Sequence, residues 1–69
     1  MNDLHRLYIL QSSLRAAEEY LLLNVYSASQ EEILEEALET LQTDFGSSFI
    51  SEEELRDVLE EGGWREEER

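Results

Sequence analysis

The sequence predicts an all-α fold: a small three-helix domain with a long first helix, an amphipathic second and a short third, expected to assemble as a homodimeric helical bundle. Three observations carry this expectation. Proline is absent and the acid is mostly glutamate, fifteen Glu against three Asp, a composition that helices accept well. Apolar residues recur with helical period in three stretches. Two of those stretches are preceded by a serine three residues before a glutamate, the spacing of a capping box.

The first helix is expected from about Asp3, a candidate cap, to about Val25. Leu7, Leu10, Leu14, Ala17 and Leu21 recur at spacings of 3, 4, 3 and 4 and so form one stripe. Ile9, Ala16, Tyr20 and Leu23 gather on a second apolar face. A helix apolar on two sides is usually buried on two sides, so this second face is the expected homodimer surface.

The second helix starts at Ser29 with Glu32 as box partner, or in an alternative register at Ser27 with Gln30. Its inner stripe is Ile33, Leu34, Ala37, Leu38, Leu41 and Phe45, and Gly46 suits a left-handed position past its end. The third helix starts at Ser51 with Glu54 as box partner. Ile50 and Leu55 stand where a hydrophobic staple would pack. Leu55, Val58 and Leu59 face inward, and Gly62 and Gly63 stop the helix near Glu61. Residues 1–64 therefore read as one domain and residues 65–69 as a charged tail, expected to fray.

A chain of 69 residues buries only about 60% of the surface its unfolded form exposes. Cysteine is absent, so no disulfide can compensate, and a second chain is the remaining common remedy. Eighteen acidic residues, five arginines and no lysine give a net charge of −13, which disfavours direct binding to nucleic acid or an anionic membrane. The longest aliphatic run, Leu21 to Leu23, is too short to span a bilayer. With no basic and apolar leader at its N-terminus, the chain is expected to be soluble and intracellular, in the cytoplasm.

The charge is unevenly placed. Residues 1–28 carry three acids and two arginines, net −1, and residues 29–69 carry fifteen acids and three arginines, net −12. A salt-adapted origin would also give an acidic, lysine-free chain, but would not require the acid in one half.

The candidate binding surface is accordingly a carboxylate face made of Glu31, Glu32, Glu35, Glu36, Glu39, Glu53, Asp57, Glu60 and Glu61. Like charges one turn apart repel by a few tenths of a kcal/mol per pair. The helix dipole compensates acids in a first turn, but not Glu35, Glu36 and Glu39, and it disfavours Glu60 and Glu61 near a C-terminus. The plain reading of the face is solubility. The sharper one is docking on a partner protein with a basic surface, in its strongest form as a nucleic-acid mimic that inhibits or regulates a nucleic-acid-handling protein. In size and charge alone the chain resembles small acidic helical proteins that block restriction, CRISPR or transcription machinery. The rival from another class is a structural or adaptor module binding through apolar helix faces, with the acids serving solubility.

Other constellations are weak. Ile50, Ser51, Glu54 and Leu55 resemble the end of an EF-hand loop, but Thr43 and Phe45 occupy its first and third ligand positions and Ser48 its central glycine, so no calcium site is expected. His5 is the sole histidine, which leaves zinc without its usual donors. No metal or cofactor is expected, and no nucleophile is paired with a base, so the chain reads as a non-enzyme. Trp64 has two readings: folded back over the core, or an apolar anchor for a partner. Arg56 is placed to reach Glu52 and Glu60 at one-turn spacing.

Overall fold

A computed structural model describes residues 3–24 and 28–65. The described residues form α1 (Asp3–Asn24), α2 (Gln30–Phe45), α3 (Glu52–Glu61) and a closing 3-10 turn, Gly63–Arg65, with no strand. The expected all-α, three-helix architecture is therefore present. Val25, at the expected end of the first helix, and Ser27, the alternative cap of the second, lie outside the described residues, as do Tyr26 and residues 66–69.

The 22 residues of α1 span about 33 Å at 1.5 Å per residue, close to the domain's longest dimension of 35 Å. The other elements pack along it. Leu10, Leu14 and Ala17 are buried, and Leu7 and Leu21 at the ends of the stripe are partly buried against the same core. Asp3 stands inside the first turn rather than at the cap, where its charge still complements the helix dipole. At the other end the Asn24 side-chain amide donates to the Tyr20 carbonyl at 2.8 Å, satisfying one of the carbonyls that a helix end leaves without a partner.

The capping box of α2 is complete. The Glu32 N–H donates to Ser29 Oγ at 3.2 Å, and the Ser29 N–H donates to Glu32 Oε1 at 2.9 Å. Ile33, Leu34, Ala37 and Leu41 are buried and Leu38 is partly so. Phe45 departs from the expected inner stripe. It is half exposed, and its ring stacks on Phe49 with centroids 4.6 Å apart. At the last turn of α2 the core is already closed by Ile50, which the following turn carries inward. Gly46 has φ 101° and ψ 152°, a positive φ that glycine supplies without steric cost, but it is not in the left-handed helical well that the sequence suggests.

The box expected at α3 is only half formed. Ser51 Oγ accepts from the Glu54 N–H at 3.2 Å, but the Glu54 carboxylate turns away to an arginine of α1. Ile50 and Leu55, the staple pair, are both buried, as are Val58 and Leu59. Gly62 stops the helix in the left-handed conformation, φ 86° and ψ −13°. That reversal folds Trp64 back over the core, where none of its surface is exposed. The indole N–H donates to the Leu59 carbonyl at 2.9 Å, so a side chain closes the C-terminus of α3. Among the described residues no buried side-chain polar atom lacks a partner.

Candidate functional site

The four arginines of the described residues all make contacts within the domain. On α1, Arg6 donates through Nε and a terminal nitrogen to the two oxygens of Glu54, at 2.7 and 2.9 Å. It also donates to the Phe49 carbonyl at 2.6 Å and lies over the Phe49 ring, 4.7 Å from its centroid. One guanidinium thus ties the start of α1 to the α2–α3 linker and to the first turn of α3. The hydrogen bond from Arg6 holds the Glu54 carboxyl below the usual carboxylate range, and the same bond raises Arg6.

Arg15 donates to the Trp64 carbonyl at 3.2 Å and to Ser12 Oγ at 3.3 Å. Arg65 pairs with Glu18 at 3.2 Å and lies over the Trp64 ring at 4.7 Å. Arg65 is therefore part of the folded domain rather than of a frayed tail. Arg56 pairs with Glu52 at 2.7 Å as the one-turn spacing predicts, but its other partner is Glu31, at the start of α2, and not Glu60. Hydrogen bonds from Arg56 lower Glu31 from the ordinary carboxylate value and raise Arg56 in turn.

These contacts divide the expected carboxylate face. Fifteen acidic residues lie in the described segments, and Glu18, Glu31, Glu52 and Glu54 are ion-paired, which leaves eleven that are not. Glu31 is a clip between helices, and Glu32 is a cap. Glu53, Asp57 and Glu60 are exposed at one-turn spacing along α3, opposite Leu55 and Leu59, with Glu61 exposed nearby. On α2, Glu35 is exposed without an ion pair. Glu36 and Glu39 instead line a groove between α1 and α2.

That groove was not visible in the sequence. Its first section, about 340 Å³, is lined by Ser12, Ser13, Ala16, Ala17 and Tyr20 from α1 and by Glu36 and Thr40 from α2. A second section of about 400 Å³ shares Tyr20, Glu36 and Thr40 and continues along Glu39, Thr43 and Asp44. Apart from Tyr20, the α1 wall is made of small side chains. The only hint in the sequence is the recurrence of Ser12, Ser13 and Ala16 within one turn.

The second face of α1 is partly the one expected. Tyr20 and Leu23 are 55% and 86% exposed, and Ala16 is exposed as well. Ile9 departs from them: it is partly buried and packs on the domain's own core. Trp64 is fully buried, so the folded domain presents none of it to a partner.

Among the described residues no group of three His, Cys, Asp or Glu side chains is arranged to hold a metal ion, and no helix is long and apolar enough to cross a membrane. What the fold and surface define is a small helical domain with an apolar core, an acidic exterior and arginines that bridge its elements. Comparison with protein-family models, curated proteins and solved structures finds no match.

Proposed function

We propose that this protein is a non-enzymatic binding module that docks its unpaired carboxylates on the basic surface of a partner protein and thereby regulates or inhibits it, in a soluble intracellular setting. The observation that supports this reading is the commitment of the arginines. Arg6, Arg15, Arg56 and Arg65 all bridge elements of the fold, so the outer carboxylates of α2 and α3 have no neutralising partner within the described domain.

Spacing decides how far nucleic-acid mimicry can go. Glu53, Asp57 and Glu60 place a charge about every 5 Å along α3 at 1.5 Å per residue. Duplex DNA carries one charge per about 1.7 Å of axis. One column falls short by a factor of about three on those figures, so mimicry of a duplex requires α2 and α3 to act together, whereas docking on a basic protein patch does not.

The partner captured from the source cells, eluted with salt and purified, provides the test. Its affinity should fall steeply between low and high ionic strength and be abolished by Glu35→Lys, Glu36→Lys and Glu39→Lys together. Binding that survives both changes refutes the proposal. A second reading, homodimerisation through α1, is favoured by the exposure of Tyr20 and Leu23. Sedimentation over the micromolar range, with Tyr20→Glu as control, tests it, and a monomer throughout removes it.

A further inference from the structure

We infer that the groove between α1 and α2 is the specificity site of this module and that its occupant is an amphipathic helix bearing arginine or lysine along one edge. The inference rests on the proposed docking to a basic partner, and it names the surface that selects that partner.

The shape argues for a helix. A docked helix comes close only where side chains are small, and Ser12, Ser13 and Ala16 provide such a wall. Along the domain's long axis α1 is covered by α2, α3 and the closing turn, while this side of it is left open. A fourth helix laid here would complete a four-helix arrangement, in which facing apolar stripes are buried by neighbours on each side. Tyr20 stands at the junction of the two groove sections, half exposed, with an apolar ring and a polar tip suited to an interface centre.

Charge argues for a basic occupant. The α2 rim carries Glu36, Glu39 and Asp44, and none of them is in an ion pair. Their positions, i, i+3 and i+8, put Glu39 about 60° to one side of Glu36 and Asp44 about 80° to the other at 3.6 residues per turn, so they flank the second section of the groove, where cations on a docked helix would meet them. Glu36 is only partly exposed, so a cation reaching it is less screened by water than one on the open face of α3. A second copy of this chain is a poorer occupant of the groove, which shares Ala16 and Tyr20 with the α1 dimer face, so the dimer reading and this one compete for the same surface. Two-fold pairing through the groove would bring two Glu36–Glu39 rims together, and the arginines of α1 are already held by Glu54, Trp64 and Ser12.

The test uses the full chain and a designed amphipathic helical peptide, with leucine and alanine on one face and arginines at one-turn spacing along its edge. A peptide with glutamine replacing each arginine is the control. In an NMR titration the arginine peptide should shift the amides of Ser13, Ala16, Tyr20, Glu36 and Thr40. Ala16→Trp fills the groove at an exposed position and should weaken binding at least tenfold, with helicity by circular dichroism unchanged. Glu36→Gln with Glu39→Gln should weaken it about five- to tenfold, and the glutamine peptide should bind no better than to that variant. Changing Glu53, Asp57 and Glu60 to their amides should alter it less than threefold.

Shifts confined to α3, with the amide variant there abolishing binding, would overturn the groove and leave acidic docking standing. Peptide binding that ignores charge at both places would overturn both. No binding, undiminished binding to Ala16→Trp, or a groove occupied by self-association at the working concentration would each overturn the inference.

Discussion

Trp64 is the residue at which a core role and a partner-anchoring role make opposite predictions. Its side chain is fully buried, and its indole N–H satisfies the Leu59 carbonyl at the end of α3. Truncating a buried tryptophan to alanine costs about 3–5 kcal/mol. A domain of 69 residues has about 3–10 kcal/mol in total at 0.05–0.15 kcal/mol per residue. Trp64→Ala should therefore remove between about a third of the stability and all of it. Trp64→Phe keeps most of the apolar volume but leaves the Leu59 carbonyl without its donor, a loss of about 1–3 kcal/mol. At about 4–8 °C per kcal/mol for a domain of this size, its melting temperature should fall by several to about 20 °C. Urea and thermal unfolding followed by far-UV circular dichroism give both numbers without relying on the tryptophan itself. In the unsubstituted protein the emission of this single tryptophan should be blue-shifted and resist acrylamide quenching. A Trp64→Ala protein within about 1 kcal/mol of the parent would refute the assignment, as would tryptophan emission typical of water.

Ser29→Ala and Ser51→Ala each remove an acceptor for a first-turn N–H and should cost about 0.5–2 kcal/mol, read as a shift in the urea midpoint at constant slope. Gly62→Ala meets nothing within 4 Å of its new Cβ, so its cost is that of left-handed backbone alone, about 1–2 kcal/mol. A cost near zero would place the chain reversal elsewhere. The pH dependence follows from the lowered carboxyl of Glu54. A group whose folded value lies below its unfolded one stabilises the fold above the unfolded value, and that stabilisation is lost as pH falls through the folded value. The stability difference between the parent and Glu54→Gln should thus be full at neutral pH, begin to shrink near the ordinary value of 4.5 and vanish below the lowered one. A difference that stayed constant to pH 2 (about two units below the ordinary glutamate value) would refute the Arg6 clip. Added sodium chloride at neutral pH should raise the melting temperature, because uncompensated carboxylates outnumber the ion pairs; a fall would show that the clips dominate.

The helices were legible because each is specified locally. Ser29 with Glu32, Ser51, and the terminating glycines sit within a turn of the backbone groups they satisfy, and the core stripes follow from the helical period. Two of the departures, at Glu54 and Arg56, involve long-range partners. Glu54 has the spacing of a capping box, yet a guanidinium 48 positions earlier outcompetes the cap's backbone N–H, since a bidentate charged bond is stronger than a single bond to a neutral donor. Arg56 finds Glu31 across the α2–α3 contact rather than Glu60 on its own helix. Phe45 continues the stripe of α2 in sequence, but Ile50 closes the core, leaving its ring to Phe49. Of the candidate site, the outward direction of Glu53, Asp57 and Glu60 was readable from helical geometry. The groove was not, because its walls come from two helices whose relative placement no local pattern encodes.

The arginine clips give the acidity a structural meaning beyond surface charge. With no lysine in the chain, the basic side chains of the described domain other than His5 are arginines, and each of those arginines joins elements far apart in sequence. Guanidinium suits this use because its planar fork can bind a carboxylate, a backbone carbonyl and an aromatic face from one position, as Arg6 does with Glu54 and Phe49. A cationic partner arriving at α2 or α3 would therefore meet carboxylates with no competing cation to displace, except at Glu31 and Glu52, where Arg56 already sits, and at Glu54, which Arg6 holds. The docking surface we propose would therefore lie away from the α2–α3 contact, toward the outer column of α3 on one side and the α1–α2 groove on the other. Only the groove adds an apolar wall and a half-buried acid to that charge, and steric fit, which salt does not screen, is what would separate one basic partner from another.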